Sequence, residues 1–188
     1  MKARDNPFRT SRVLGVRYRF LQASWEELMA RLRDLGYRAA VVGPEGSGKT
    51  TLLEDLEPRL AGLGFPVRWL RLNASEPRMT RRDVEQRLRA SGDAGVWLVD
   101  GADLMAGGAR QWLADPRRNL RGLIVATHQA GQLPTALDCR TTSELLESVV
   151  RELLGTPDAD TLERLPGLFK KHRGNIRTAL RELYDLSA

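Results

Sequence analysis

A chain of 188 residues suits one α/β domain, or one with a small appendage, and leaves no room for a large second domain. Its net charge of +6 comes from 30 basic against 24 acidic residues, and only Lys2, Lys49, Lys170 and Lys171 are lysine; such an arginine bias argues little for nucleic acid by itself. The single cysteine, Cys139, excludes an intrachain disulfide and a thiolate metal cluster, and no apolar run nears the roughly 20 residues that span a bilayer, so a soluble protein of a reducing, cytoplasmic compartment is expected.

Met1 to Asn6 is charged and lacks the apolar run of a signal peptide. Asn6-Pro7-Phe8 opens as a turn, and Arg9 to Phe20 interleaves basic and aromatic residues with Val13, Leu14 and Val16. Three readings of this arm stay open: a wall against the base of a bound nucleotide, a basic strip for phosphate backbones, or a solvated lead-in. Ser24-Trp25-Glu26-Glu27 is a capping box, and Trp25, Leu28, Met29, Leu32 and Leu35 keep helical spacing up to Gly36. Arg38-Ala39-Ala40-Val41-Val42 then reads as a short buried strand.

The next stretch carries the chemistry. Gly43-Pro44-Glu45-Gly46-Ser47-Gly48-Lys49-Thr50 fills every fixed position of G-x-x-x-x-G-K-[ST], the phosphate-binding loop, between that strand and a helix over Thr50 to Leu56. Gly43, Gly46 and Gly48 are expected to take positive φ and bring backbone N–H groups toward phosphates. Lys49 would reach the β- and γ-phosphates, and the Thr50 hydroxyl would complete Mg²⁺ coordination, with Thr51 a spare hydroxyl. A helix starting at about Ser47 would aim its positive end at the anion. ATP or ADP with Mg²⁺ is the ligand this predicts.

Beyond a turn over Gly62 to Pro66, Val67 to Leu72 alternates with period two and reads as an edge-side strand, after which Asn73 to Arg78 breaks the pattern. Thr80 to Arg89 is a charged helix whose Arg81, Arg82, Arg87 and Arg89 form either a solvated face or a DNA contact, and Ser91-Gly92-Asp93 ends it. Val96-Trp97-Leu98-Val99-Asp100 is a buried strand ending in a carboxylate, the form that holds Mg²⁺ beside a phosphate loop.

Where many ATPases place a water-activating Glu, this chain has Gly101. Asp103 is the nearest substitute, either orienting the attacking water or capping the next helix, expected over Ala102 to Leu113; slow or absent hydrolysis is one outcome. A basic link from Asp115 to Arg121 leads to a strand over Leu123 to Ala126 that ends in Thr127-His128-Gln129, where a polar tip can contact a γ-phosphate or the lytic water. Ala136 to Cys139 is a final short strand, with Cys139 a small buried apolar residue. From Arg140 the chain turns helical: Thr141-Thr142-Ser143-Glu144 opens one helix that Gly155-Thr156-Pro157 stops, Asp160 to His172 forms a second interrupted near Pro166, and Asn175 to Leu186 forms a third.

The order of these motifs resembles the AAA+ ATPases over nearly the whole chain, in particular the compact bacterial, replication-initiator-like branch that includes DNA transposition regulators. Val41 to Thr51 matches Walker A and Val96 to Asp100 matches Walker B. The strand ending at Thr127-His128 is similar to the one that carries sensor 1, which gives His128 that role with Thr127 second. Gly174-Asn175-Ile176-Arg177 resembles sensor 2, so Arg177 would touch the γ-phosphate and couple a helical lid to nucleotide state. Independently of the family, a guanidinium in the first turn of a helix can form a forked contact to phosphate; the alternative is an ordinary surface arginine.

The resemblance implies a P-loop three-layer α/β sandwich with a parallel sheet ordered 5-1-4-3-2 and a C-terminal helical lid. Residues 1–23 would form an arm, 24–140 the core and 141–188 the lid. It also implies a homo-oligomer completed by a neighbour's arginine, although no arginine lies between Gln129 and Asp138; Arg140, Arg117, Arg118 and Arg121 are the candidates. Asn-Lys-x-Asp and Leu-Ser-Gly-Gly are both missing, so a GTPase and an ABC transporter subunit fit less well, and a small-molecule kinase stays open but lacks an evident acceptor site. An Mg²⁺-dependent ATPase coupling ATP to assembly or partner binding leads. A catalytically weak ATP-gated switch that binds DNA or protein is the alternative, its basic stretches being Arg9 to Arg19, Arg81 to Arg89 and Lys170-Lys171-His172-Arg173.

Overall fold

The computed structural model describes residues 6–75, 78–91, 95–117 and 120–187, of Ser91 the backbone alone. The expectations for Met1 to Asn6, Asn73 to Arg78, Ser91-Gly92-Asp93 and the 115–121 link with Arg118 fall partly or wholly outside them. In chain order the elements are α1 (Thr10–Val13), α2 (Trp25–Asp34), β1 (Arg38–Val42), α3 (Lys49–Gly62), β2 (Val67–Arg71), α4 (Arg81–Ser91), β3 (Val96–Asp100), α5 (Gly107–Ala114), β4 (Gly122–Thr127), β5 (Thr135–Asp138), α6 (Ser143–Leu154), α7 (Ala159–Lys171) and α8 (Ile176–Leu186).

The five strands form one parallel sheet in the order β2-β3-β4-β1-β5, which read from the other edge is the expected 5-1-4-3-2. The three central strands are apolar on both faces because helices cover both. Ala39, Val41, Val96, Leu98, Ile124 and Ala126 point to the side of α2 and α3, while Ala40, Trp97, Val99, Leu123 and Val125 point to α4 and α5. The edges are less covered: β2 buries only Leu70 and leaves Arg68 and Arg71 exposed, and β5 buries only Ala136, which is why β2 was readable as an edge from its sequence. A third apolar cluster joins α6, α7 and α8 to Phe8 and Val16 of the N-terminal arm.

Local chemistry sets the element ends. Ser24, Thr142, Asp158 and Asn175 accept from the amides of Glu27, Leu145, Thr161 and Thr178, capping α2, α6, α7 and α8. Three expectations need correction. The helix after the phosphate loop runs on to Gly62 through Pro58, and α7 is continuous through Pro166. In α7 the packing of Leu165 and Leu168 on one apolar face offsets the lost backbone bond at Pro166. The helix expected over Ala102 to Leu113 is instead a short turn, Ala102–Leu104, followed by α5, because Met105 is extended, buried and bridged to Met79.

Candidate nucleotide site

The phosphate loop, residues 43–48, joins the end of β1 to the start of α3. The Gly43 N–H donates to the Thr127 carbonyl at 3.2 Å, which ties the loop to the tip of β4. Gly46 (φ +75°) and Gly48 (φ +84°) take the left-handed conformation, whereas Gly43 does not, contrary to expectation. Gly43 is needed for close approach: a Cβ there would overlap the Cys139 carbonyl and lie 2.7 Å from Ser47 Oγ. Because the left-handed Gly48 is the N-cap, α3 begins at Lys49 rather than Ser47, and no side chain caps it. Its first amides are left for an anion.

Ser47 Oγ is buried with no protein partner, an orphan polar atom that fits a ligand in the loop. Thr50 Oγ1 donates to Asp100 Oδ2 at 2.8 Å, so β3 and α3 bring the two expected metal-binding groups together. Lys49 Nζ donates to the Gly43 and Pro44 carbonyls at 2.7 and 2.8 Å. Burial, and to a lesser extent Arg177, push its pKa below the ordinary lysine range, while Cys139, Asp103 and Asp100 act the other way. Pro44 and Glu45 are exposed, Thr51 is half-buried beside the loop. Among the described residues no cluster of three or more His, Cys, Asp or Glu side chains could hold a metal, and a Mg²⁺ carried largely by phosphates and water does not need one.

Past Asp100 the chain turns sharply. Gly101 sits at φ +78°, with Leu72 O 2.9 Å from where a Cβ would be. Asp103 does not cap α5, whose N-cap is Ala106, so that alternative is excluded. Its Oδ1 accepts from the Thr127 hydroxyl at 2.8 Å and more loosely from Arg110 at 3.4 Å. Its Oδ2 accepts from the His128 amide at 2.8 Å and lies 3.2 Å from His128 Nδ1. Thr127 is buried and His128 exposed, so of the two strand-tip residues the threonine faces inward.

Arg177 lies in the first turn of α8 and borders a cleft of about 130 Å³ whose floor is Gly46, Ser47, Gly48 and Thr51. The apolar walls come from the arm (Val16, Tyr18) and the lid (Leu145, Val149, Ile176, Leu180). A Cβ on Gly46 would overlap Asn175 Oδ1, so the cap of α8 rests directly on the phosphate loop. Sequence reasoning named Asn175 and the arm that carries Tyr18 but missed their contacts with the phosphate loop, and it missed Asp55 altogether. The last had a signal: a carboxylate on the apolar face of α3 beside Leu52 and Leu56 requires a partner.

The basic stretches are less available than the sequence suggests. Arg17 pairs with Asp55, Arg19 with Glu152, and Lys171 and His172 with Glu182, whose carboxyl these two hold below its usual range. Of the arginines suggested to act on a neighbour, Arg140 pairs with Asp138, Arg117 with Asp115, and Arg121 lies over the Phe65 ring. Among the described residues no helix is long and apolar enough to cross a membrane.

By sequence the chain matches no protein-family profile and no curated protein. By structure it is similar to RuvB of Thermotoga maritima, a Holliday junction branch migration motor, at 17% identity and a TM-score of 0.53, over 83% of this chain and 58% of that one. Two point mutants of the same protein match at 18% and 16% identity with TM-scores of 0.55 and 0.52, over 83% and 84% of this chain. The chain spans 58 to 60% of the length of these structures. The likeness shows the fold alone; the narrower replication-initiator branch finds no support in it.

Proposed function

We propose that the protein binds Mg²⁺–ATP and works as an ATP-gated switch with slow turnover. The observation that carries this is the Thr50–Asp100 hydrogen bond at the mouth of a glycine loop with a buried orphan hydroxyl, an arrangement that suits a metal-bound triphosphate. Thr50 and Asp100 would be the protein-side holders of Mg²⁺, which would supply neutralisation of the triphosphate's charge. Residues 43–51 cradle the phosphates, and Lys49 exchanges two carbonyl acceptors for phosphate oxygens. The arm and lid wall the base. Arg177, at the start of α8, reports γ-phosphate occupancy to the lid through Asn175 and Gly46.

Slow turnover follows from the other half of the site. Gly101 offers no carboxylate, and Asp103 already accepts from Thr127 and His128, so it holds the tip of β4 in place and is a poor base for water. Among switch partners, DNA is the first to test, given RuvB's substrate and the exposed Arg82 and Arg87 of α4. ATP titration with and without Mg²⁺ tests the reading: binding that weakens at least about tenfold without Mg²⁺, and equally in Asp100→Asn, is expected. Binding indifferent to both changes would refute it. Retention on DNA that does not respond to ATP or salt would remove DNA as the partner.

A further inference from the structure

The arm is held across the cleft at three consecutive residues, and the central hold comes from a residue in none of the motifs. Asp55, one and a half turns into α3, is 5% exposed. Its Oδ1 accepts from Arg17 Nη1 at 2.6 Å and its Oδ2 from the Tyr18 amide at 2.8 Å. Arg19 then reaches α6 through Ser148 and Glu152. Tyr18 is thereby placed with its ring 3.3 Å from where a Cβ on Gly48 would lie, and its hydroxyl donates to the buried Cys139 Sγ at 3.3 Å.

A ladder of rings continues the hold along the same helix. Tyr18 meets Phe20 edge to face at 5.0 Å, Phe20 meets Trp25 at 5.1 Å, and the Arg59 guanidinium lies 3.7 Å over Trp25. Arg59 in turn donates to the Asp55 carbonyl. The helix whose N-terminus faces the phosphates therefore also fixes the wall that faces the base.

We propose that Asp55 is a positioning residue for base recognition: it locks the Arg17–Tyr18 strap over the cleft, so that affinity for a nucleoside triphosphate exceeds affinity for its triphosphate alone. The inference rests on the nucleotide reading above and makes a separate demand. An ionised carboxylate satisfies two donors at once, whereas an amide must turn its NH₂ toward one of them. Asp55→Asn therefore loosens the strap while leaving residues 43–50 and the Thr50–Asp100 pair intact.

The test is calorimetric titration of Mg²⁺–ATP and of Mg²⁺–tripolyphosphate into the wild-type protein, Asp55→Asn and Arg17→Ala, with amide exchange at Tyr18 as a second readout. Expected is a loss of about tenfold in ATP affinity in both variants, tripolyphosphate affinity within about twofold, and faster exchange at Tyr18 with the phosphate-loop amides unchanged. Arg17→Ala removes the latch from the exposed side, so it serves should Asp55→Asn fail to fold. Equal losses for both ligands, or an unchanged preference, overturn the inference while the nucleotide reading stands. Failure of the wild-type protein to bind either ligand overturns both.

Discussion

The strand tips around the phosphate loop make opposite use of the same scaffold. At β1 the chain runs into a loop whose polar groups are left for a ligand: an orphan Ser47 hydroxyl, an uncapped α3, and a lysine parked on two loop carbonyls. Beyond Asp100, in the turn after β3 and at the tip of β4, the polar groups are already spent on one another: Asp103 takes Thr127, the His128 amide and, loosely, Arg110. An open binding half beside a closed hydrolytic half is what a switch requires, since a switch must hold its ligand longer than it converts it.

The sharpest way to break the open half is Lys49→Ala, which removes the charged donor to the phosphates. A loss of about 2–3 kcal/mol, about 30- to 150-fold in Kd for ATP, is expected by titration. On the closed half, Gly101→Glu restores the carboxylate that the resemblance leads one to expect. Because Gly101 needs positive φ and Leu72 O lies close, it should lower stability by about 1–3 kcal/mol in denaturant unfolding without raising turnover. A variant that folds well and hydrolyses ATP briskly would show that the closed half lacked only a carboxylate base.

Asp103→Asn probes the same side more gently. Its loss of acceptor capacity should cost about 1–2 kcal/mol of stability while leaving ATP binding within about twofold. Gly46→Ala separates the loop from the lid: a Cβ there overlaps Asn175, so exchange at the first turn of α8 should rise, with ATP affinity falling about fivefold. The smallest effect is in pH. Burial lowers the Lys49 pKa, so in the free protein the charged amine carries a penalty that disappears as pH rises through the lowered value toward about 10.4. Polyphosphate binding favours the charged form, so ATP affinity should fall a few-fold as pH rises through that window. An affinity flat up to about pH 10.5 would contradict it.

Much of the open half was legible. Walker A and Walker B are short, local and chemically constrained, and β1, β3 and β4 follow from apolar runs on both faces, whereas the sheet order came from the resemblance. The closed half was half legible: Gly101 stood out, but that Asp103 does not cap the next helix depends on α5 starting only at Gly107, past a Met105 bridged to Met79, a contact with no local signature. The strap over the cleft was least legible. Tyr18 and Asp55 are 37 residues apart, and only the buried position of a carboxylate on an apolar helix face hinted that the two would meet.

Turnover of ATP per subunit, measured across a wide range of protein concentration with Lys49→Ala as the blank, bears most directly on the contrast between the two halves. A rate that stays near the blank at every concentration, in protein that binds Mg²⁺–ATP, is the predicted result. A rate that climbs with concentration to about 1 s⁻¹ or more would contradict it, since the closed half would then be completed by a neighbouring copy.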